Sequence, residues 1–315
     1  MRLPTTWIAK HKWIDQEIER LDPDIDYAQI WRLAHAYRIN EFAMNFFYAY
    51  VAAHFFSTPQ GGRTVVRAGR GKVLENQDKR FSDTNRHTLT WWENNPVSAE
   101  TRRSVGAVNK LHIYYAKQYP DDMTNNDDYI YGLCTEAAAF HRFREMIGLP
   151  GYTSAMQITA YRFWSDMVPL FQSGDGAALT GWPADFQGVL DVMAKFESRS
   201  WPYTEDSVIA CEAVRKQFAE RYFPRPLQGI GRTMVLAMYP EHVLKTLRLK
   251  APNRFIVRAV RAALKANILL QERVLPDPRE TISERLTAKG SPSAGVLGVG
   301  ACPYVPEASP VRQDR

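Results

Sequence analysis

The sequence predicts an all-α fold built as one large helical domain. Apolar residues recur at spacings of three and four in ten successive segments, and period-two alternation bounded by turn residues is scarce. Prolines and capping residues stand between the segments.

The first helix is expected over 26–56. Its end, Phe42 to Phe56, is nearly apolar, yet it falls short of the roughly 20 residues a bilayer span needs and contains Asn45 and His54. A buried helix is therefore expected there. The Gly- and Arg-rich stretch Ser57 to Gln77, STPQGGRTVVRAGRGKVLENQ, reads as a long loop. A helix over 83–94 follows, with Asp83 or Thr84 as a natural N-cap. Ser98-Ala-Glu-Thr101 starts 98–119, which Pro120 stops. Asn125, Asn126 and Asp127 can cap 126–147, and Pro150 precedes 153–171. Helix 183–198 ends before Pro202, and Thr204-Glu-Asp starts 204–222. Pro224 separates that helix from 228–238 and 240–247, and 253–273 ends before Pro276. Beyond Leu286 the composition shifts to Gly, Pro, Ser and Ala, as in a mobile tail. The expected organisation is an N-terminal extension over 1–25, a helical domain over 26–286 and a tail over 287–315. No period of 20–50 residues repeats, which excludes a solenoid or propeller.

At 315 residues, 45% hydrophobic and 12% aromatic, the chain can bury a large core and is neither disordered nor a disulfide-stapled miniprotein. Cys134, Cys211 and Cys302 are far apart and form no CxxC signature, consistent with a reducing compartment. The start, MRLPTTWIAKHKW, does not read as a secretory signal, so a cytoplasmic protein is expected. The net charge of +6 is uneven: Glu212 to Lys289 holds 16 Lys and Arg against 7 Asp and Glu, leaving residues 1–211 with 22 against 25.

Within 98–119, Val105, Val108, His112, Tyr115 and Tyr119 share one helix face, which turns His112 inward with apolar neighbours. Two readings stand at this point: a hydrogen-bonded core imidazole, or an axial ligand to haem iron in an apolar pocket. Upstream, Arg80, Asp83 and Thr84 lie on neighbouring turns if the helix begins by Lys79, so a cation, a carboxylate and a hydroxyl can converge. The alternative is an Asp or Thr cap with solvated neighbours. His141, between Phe140 and two arginines, is expected near a helix surface, while His35 and His54 belong to core or pocket lining. A carboxylate-bridged di-iron site is excluded because no Glu-x-x-His occurs, and the P-loop, Gly-x-Ser-x-Gly and His-Glu-x-x-His motifs are also absent.

The order KRFSDT (79–84), NKLH (109–112), NNDDYIYGL (125–133) and ITAYRFW (158–164) resembles the latex-clearing-protein/MpaB oxygenase family over roughly residues 30–270. The resemblance implies a globin-like, all-helical domain enclosing haem b, with His112 as proximal iron ligand and Arg80 and Thr84 on the distal side. Rubber-cleaving members carry Lys before that Thr; Asp83 stands here instead, which is similar to the MpaB branch and argues against polyisoprene as substrate. The implied activity is oxidative cleavage of a carbon–carbon double bond in an apolar, unsaturated or isoprenoid substrate by O2. Asp83 would then act as a base or orient a water, and Phe163 and Trp164 would line the pocket. His54 and His141 are the next ligand candidates after His112. A haem- or lipophilic-ligand-binding helical protein without turnover is the alternative.

Arg254, Arg258, Arg261 and Lys265 follow helical spacing, as in a basic amphipathic helix on a membrane surface or a solvated helix packed on the core. One or two of them can instead neutralise haem propionates. Without a recognition motif, nucleic acid is not an expected partner. The oligomeric state is left open by the sequence.

Overall fold

The computed structural model describes residues 11–119 and 122–290, which are helical throughout apart from loops and one isolated bridge between Gln172 and Ala178. The N-terminal half contains α1 (Trp13–Ile18), α2 (Tyr27–Ala36), α3 (Glu41–Phe56), α4 (Pro59–Val66), α5 (Lys72–Glu75), α6 (Gln77–Glu93), α7 (Ala99–Gln118) and α8 (Asn126–Met146). It is followed by α9 (Ser154–Met167), α10 (Phe186–Glu197), α11 (Glu205–Tyr222), α12 (Gln228–Leu236), α13 (Glu241–Thr246), α14 (Arg254–Arg273) and α15 (Ile282–Ala288). No β-strand occurs among the described residues, as the sequence predicts. Residues 291–315, most of the expected tail, lie outside them.

Several boundaries follow capping chemistry that the apolar pattern alone obscures. The helix expected over 26–56 is two helices, because Asn40 caps α3 by accepting the Ala43 N–H at 2.8 Å. Ser98, Asn125 and Thr204 cap α7, α8 and α11 as expected. The largest correction is the stretch 57–77, expected as a loop, which holds α4 and α5. Thr58 caps α4, Pro59 occupies its first turn, and the glycines serve packing. A Cβ on Gly62 would come within 2.6 Å of the Ser207 backbone nitrogen, so glycine lets α4 lie directly against α11.

Two apolar clusters form the core. The first joins α2 and α6–α10 to α15 around Trp31, Trp92 and Trp164; the second joins α3–α5 to α11–α13, and Phe55 touches both. Rings pack face to face at Trp31–Phe163 (5.1 Å), Phe47–Phe140 (3.9 Å) and Tyr131–Phe196 (4.0 Å). Truncating one such buried ring to Ala costs about 3–5 kcal/mol in cores of this kind. Phe163 and Trp164, expected at a pocket wall, are instead fully buried in the first cluster.

Two buried ion networks fasten the packed helices. Asp277 accepts from Lys12, from the Ile14 backbone and from two nitrogens of Arg38, each at 3.1 Å, which ties the start and end of the described chain together. Burial alone would raise its carboxyl, but the Arg38 and Lys12 bonds hold it below its usual value. The second centres on Glu197 of α10. Arg142 of α8 donates to both its oxygens at 2.6 and 2.7 Å, Tyr131 donates at 3.1 Å, and His54 and His242 approach within 3.4 and 3.9 Å.

The four cations expected to form one stripe on α14 do not do so. Arg254 and Arg258 are exposed, whereas Arg261 and Lys265 are half-buried on the bundle side, and Lys265 donates to the Gly148 carbonyl at 2.6 Å. His141, expected near a surface, is buried, and its Nδ1 accepts the Tyr152 N–H at 2.8 Å.

His35 yields a pH prediction. It is buried between the Trp31 carbonyl (3.0 Å) and the Tyr152 hydroxyl (2.9 Å), and burial pushes its pKa from 6.5 down to about 4. The unfolded chain therefore binds a proton that the folded chain refuses between those values. The stability His35 contributes is complete above pH 6.5 and is lost as pH falls toward 4. Urea titrations are expected to show a loss on the order of 1–3 kcal/mol between pH 7 and 4.5, with a shallower slope in His35→Gln. An identical slope in the variant would assign the acid sensitivity elsewhere.

Candidate active site

A cavity of about 990 Å³ opens between α6, α7 and α8, with Phe55 and Phe56 at the end of α3 among its lining residues. That volume lies at the upper end of small-molecule pockets. Arg80, Asp83, Thr84 and His112 all line it, so the residues singled out in two separate sequence segments share one space.

α6 supplies one wall because its helix begins six residues earlier than expected. Asn76 caps it by accepting the Lys79 N–H at 3.2 Å, placing Asp83 in its interior. Asp83 is therefore not an N-cap. Arg80, Thr84, His87 and Trp91 then follow one another down a single face at spacings of four, three and four, each lining the cavity. Trp91 donates to the Ser104 hydroxyl of α7 at 2.9 Å and His87 Nδ1 lies 2.8 Å from the same oxygen, so Ser104 pins the two helices together beside the cavity. Asp83 pairs with Lys79 at 3.2 Å and with Lys72 at 3.6 Å.

α7 supplies Val108, Leu111, His112 and Tyr115. His112 is half-buried, its Nδ1 is shut off from solvent without a hydrogen-bond partner, and its ring meets Tyr129 edge-on at 5.6 Å. Burial, then the charges of Arg80, His87 and Arg67, push its pKa from 6.5 down to about 4, so the imidazole is neutral at physiological pH. Arg80 also has a buried Nε without a partner, and its guanidinium lies 5.4 Å from the Phe56 ring. Arg67 holds a left-handed backbone (φ 50°) at the end of α4, and its guanidinium stacks 3.5 Å over Tyr115. The strained backbone thus aims a cation into the wall.

This site contains groups that sequence reasoning missed. His87 was legible as the residue seven after Arg80, one face of one helix. Glu136 of α8 was not legible, since nothing in its neighbourhood marks it. Its carboxyl lines the cavity, and burial raises it from 4.5 to about 7. None of Arg254, Arg258, Arg261 and Lys265 reaches the cavity; its cations are Arg32, Arg67, Lys72, Arg80, Arg86 and Arg103.

The other histidines proposed as ligands lie elsewhere and have partners. His141 is held by Tyr152, and His54 belongs to the Glu197 network. His54, Glu197 and His242 offer donor atoms within 4.8 Å of one another, the geometry of a metal site. Arg142 nonetheless occupies both Glu197 oxygens, so the carboxylate charge a cation would need is already answered. The arrangement is that of a structural ion network.

The unpaired nitrogens at His112 and Arg80 are the features that call for a ligand. A buried imidazole nitrogen without a partner costs about 1–3 kcal/mol, and a neutral imidazole is the form that binds metal. A planar tetrapyrrole carrying two carboxylates matches an apolar cavity with one such imidazole and several arginines.

The family model described as the ER-bound oxygenase mpaB/B'/rubber oxygenase catalytic domain matches residues 39–266, well over half of the chain. No curated protein matches the sequence.

Because Asp83 sits inside α6 and not at its end, Asp83→Ala is expected to leave the helix intact. Its thermal unfolding should move by no more than the equivalent of about 1 kcal/mol, that of a partly exposed ion pair. A collapse of helicity by circular dichroism would instead make Asp83 a structural residue.

Proposed function

The chain belongs to the mpaB/rubber oxygenase family, and from that we propose a haem b-dependent oxygenase that cleaves a carbon–carbon double bond of an apolar, unsaturated or isoprenoid substrate. The single observation that carries the haem reading is the neutral imidazole of His112, its Nδ1 buried without a partner, in the wall of a large cavity.

His112 would hold the iron, and Arg67 and Arg80 are the cations near it that would bind the carboxylates of the macrocycle. When bound, haem supplies the capacity to bind and activate O2. The protein contributes position, polarity and exclusion of water. Val108, Leu111, Phe55 and Leu133 give an apolar substrate a stretch of apolar wall among the charged and polar groups.

Proton handling falls to carboxyls of the same walls. Asp83 is paired with Lys72 and Lys79, so its carboxyl is held in place to orient a water or accept a proton. Glu136, with its carboxyl near 7, is suited to giving and taking a proton at neutral pH. Thr84, one residue after Asp83 on the cavity lining, offers a hydroxyl that both donates and accepts. Asp83 and Lys72 also leave that side of the site with balanced charge, unlike a wall bearing a free cation.

The expected result for His112→Ala, produced in haem-sufficient cells, is a folded protein with little or no haem by pyridine haemochrome assay. Full haem occupancy in that variant would remove His112 as the ligand. Asp83→Ala is expected to keep its haem and to consume O2 at least tenfold more slowly with an unsaturated substrate, the usual scale of a lost acid–base group.

A further inference from the structure

Helix α14 is long and has no fully buried residue. Its bundle side is half-buried through Val260, Leu264, Ile268 and Leu269, which pack on the second core cluster. The opposite face is apolar as well. Phe255, Ala259, Ala262, Ala266, Leu270 and Val274 follow helical spacing along it, all exposed. Phe255 is 63% exposed, and Ile256, Leu270, Val274 and Leu275 are 45–47% exposed, an uncommon concentration of large apolar groups in water.

The charges around this face decide what covers it. Arg254 and Arg258 flank its start and Arg273 stands at its end, all exposed. The only acid on the helix, Glu272, is half-buried and paired with Arg144. A second copy docking helix to helix on the same face would bring Arg254 and Arg258 against a helix with no free carboxylate to meet them. An anionic sheet of headgroups over an apolar layer answers both features at once.

We propose that α14 lies in the plane of an anionic lipid surface, with Phe255, Ile256, Leu270 and Val274 in the acyl boundary and Arg254, Arg258 and Arg273 among the headgroups. The contact differs from a basic stripe over 254–265, since Arg261 and Lys265 face the bundle. It stands on packing and charge and is independent of haem. If the substrate is apolar, it also places the enzyme where such a substrate dissolves.

The test is flotation of the full chain with vesicles of phosphatidylcholine alone or mixed equally with phosphatidylserine. The expected result is binding to the mixed vesicles and much weaker binding to the neutral ones. Phe255→Glu with Leu270→Glu, and separately Arg254→Glu with Arg258→Glu, should each weaken binding on the order of tenfold or more. All four side chains are exposed, so the helical circular dichroism and thermal midpoint should match the wild type. Absence of binding to mixed vesicles, equal binding to both, or binding untouched by both variants would overturn the proposal. So would a dimer in sedimentation that Phe255→Glu dissociates, which would assign the face to a second copy. Protection of the face that depends on residues 291–315 would assign it to the chain's own end.

Discussion

A cavity of about 990 Å³ inside a bundle is the constraint around which the remaining structure is arranged. A hollow between helices forfeits dispersion contacts, and helices left to themselves would close on it. The chain opposes closure by fastening the walls to one another and to the helices behind them. Ser104 fixes α6 to α7 through Trp91 and His87, so these walls keep one spacing. Behind α8, Arg142 and Tyr131 grip Glu197 of α10 while Tyr131 and Phe196 stack, so the opposite wall is backed by both charge and rings. On the α4 side, Gly62 brings the helix against α11, which leaves Thr64 and Arg67 facing the hollow.

Polar groups follow the same division between scaffold and site. In the scaffold the central ionisable groups have defined partners: Asp277 is ringed by Lys12 and Arg38, Glu197 by Arg142, and His35 and His141 are hydrogen-bonded. In the cavity they are not all paired. His112 and Arg80 keep buried nitrogens without partners, and Glu136 is raised by burial. Buried ionisable groups of this kind in a cavity wall are what the haem proposal rests on.

Much of this was legible in the sequence, and the parts that were not have physical reasons. The all-α class and most helix starts were readable because caps and prolines act locally. The inward turn of His112 followed from helical periodicity alone. The association of His112 with Arg80 and Thr84 required the family resemblance, since nothing local brings α6 to α7. The stretch 57–77 misled because its glycines suggest a loop, whereas Gly62 serves helix contact across 145 positions to Ser207. Phe163 and Trp164 misled because aromatic residues at helical spacing fit a solid core as well as a pocket. The Glu197 network was invisible, assembled from α3, α8, α10 and α13 with no shared motif. On α14 the spacing of four cations concealed that the face they leave open is apolar.

The central claim is that the cavity holds haem on His112, and the visible absorption spectrum of the full-length protein purified from haem-sufficient cells tests it most directly. The account predicts a Soret band accompanied by iron in near-stoichiometric amount. A colourless, iron-free protein from cells that load other haem proteins would contradict it.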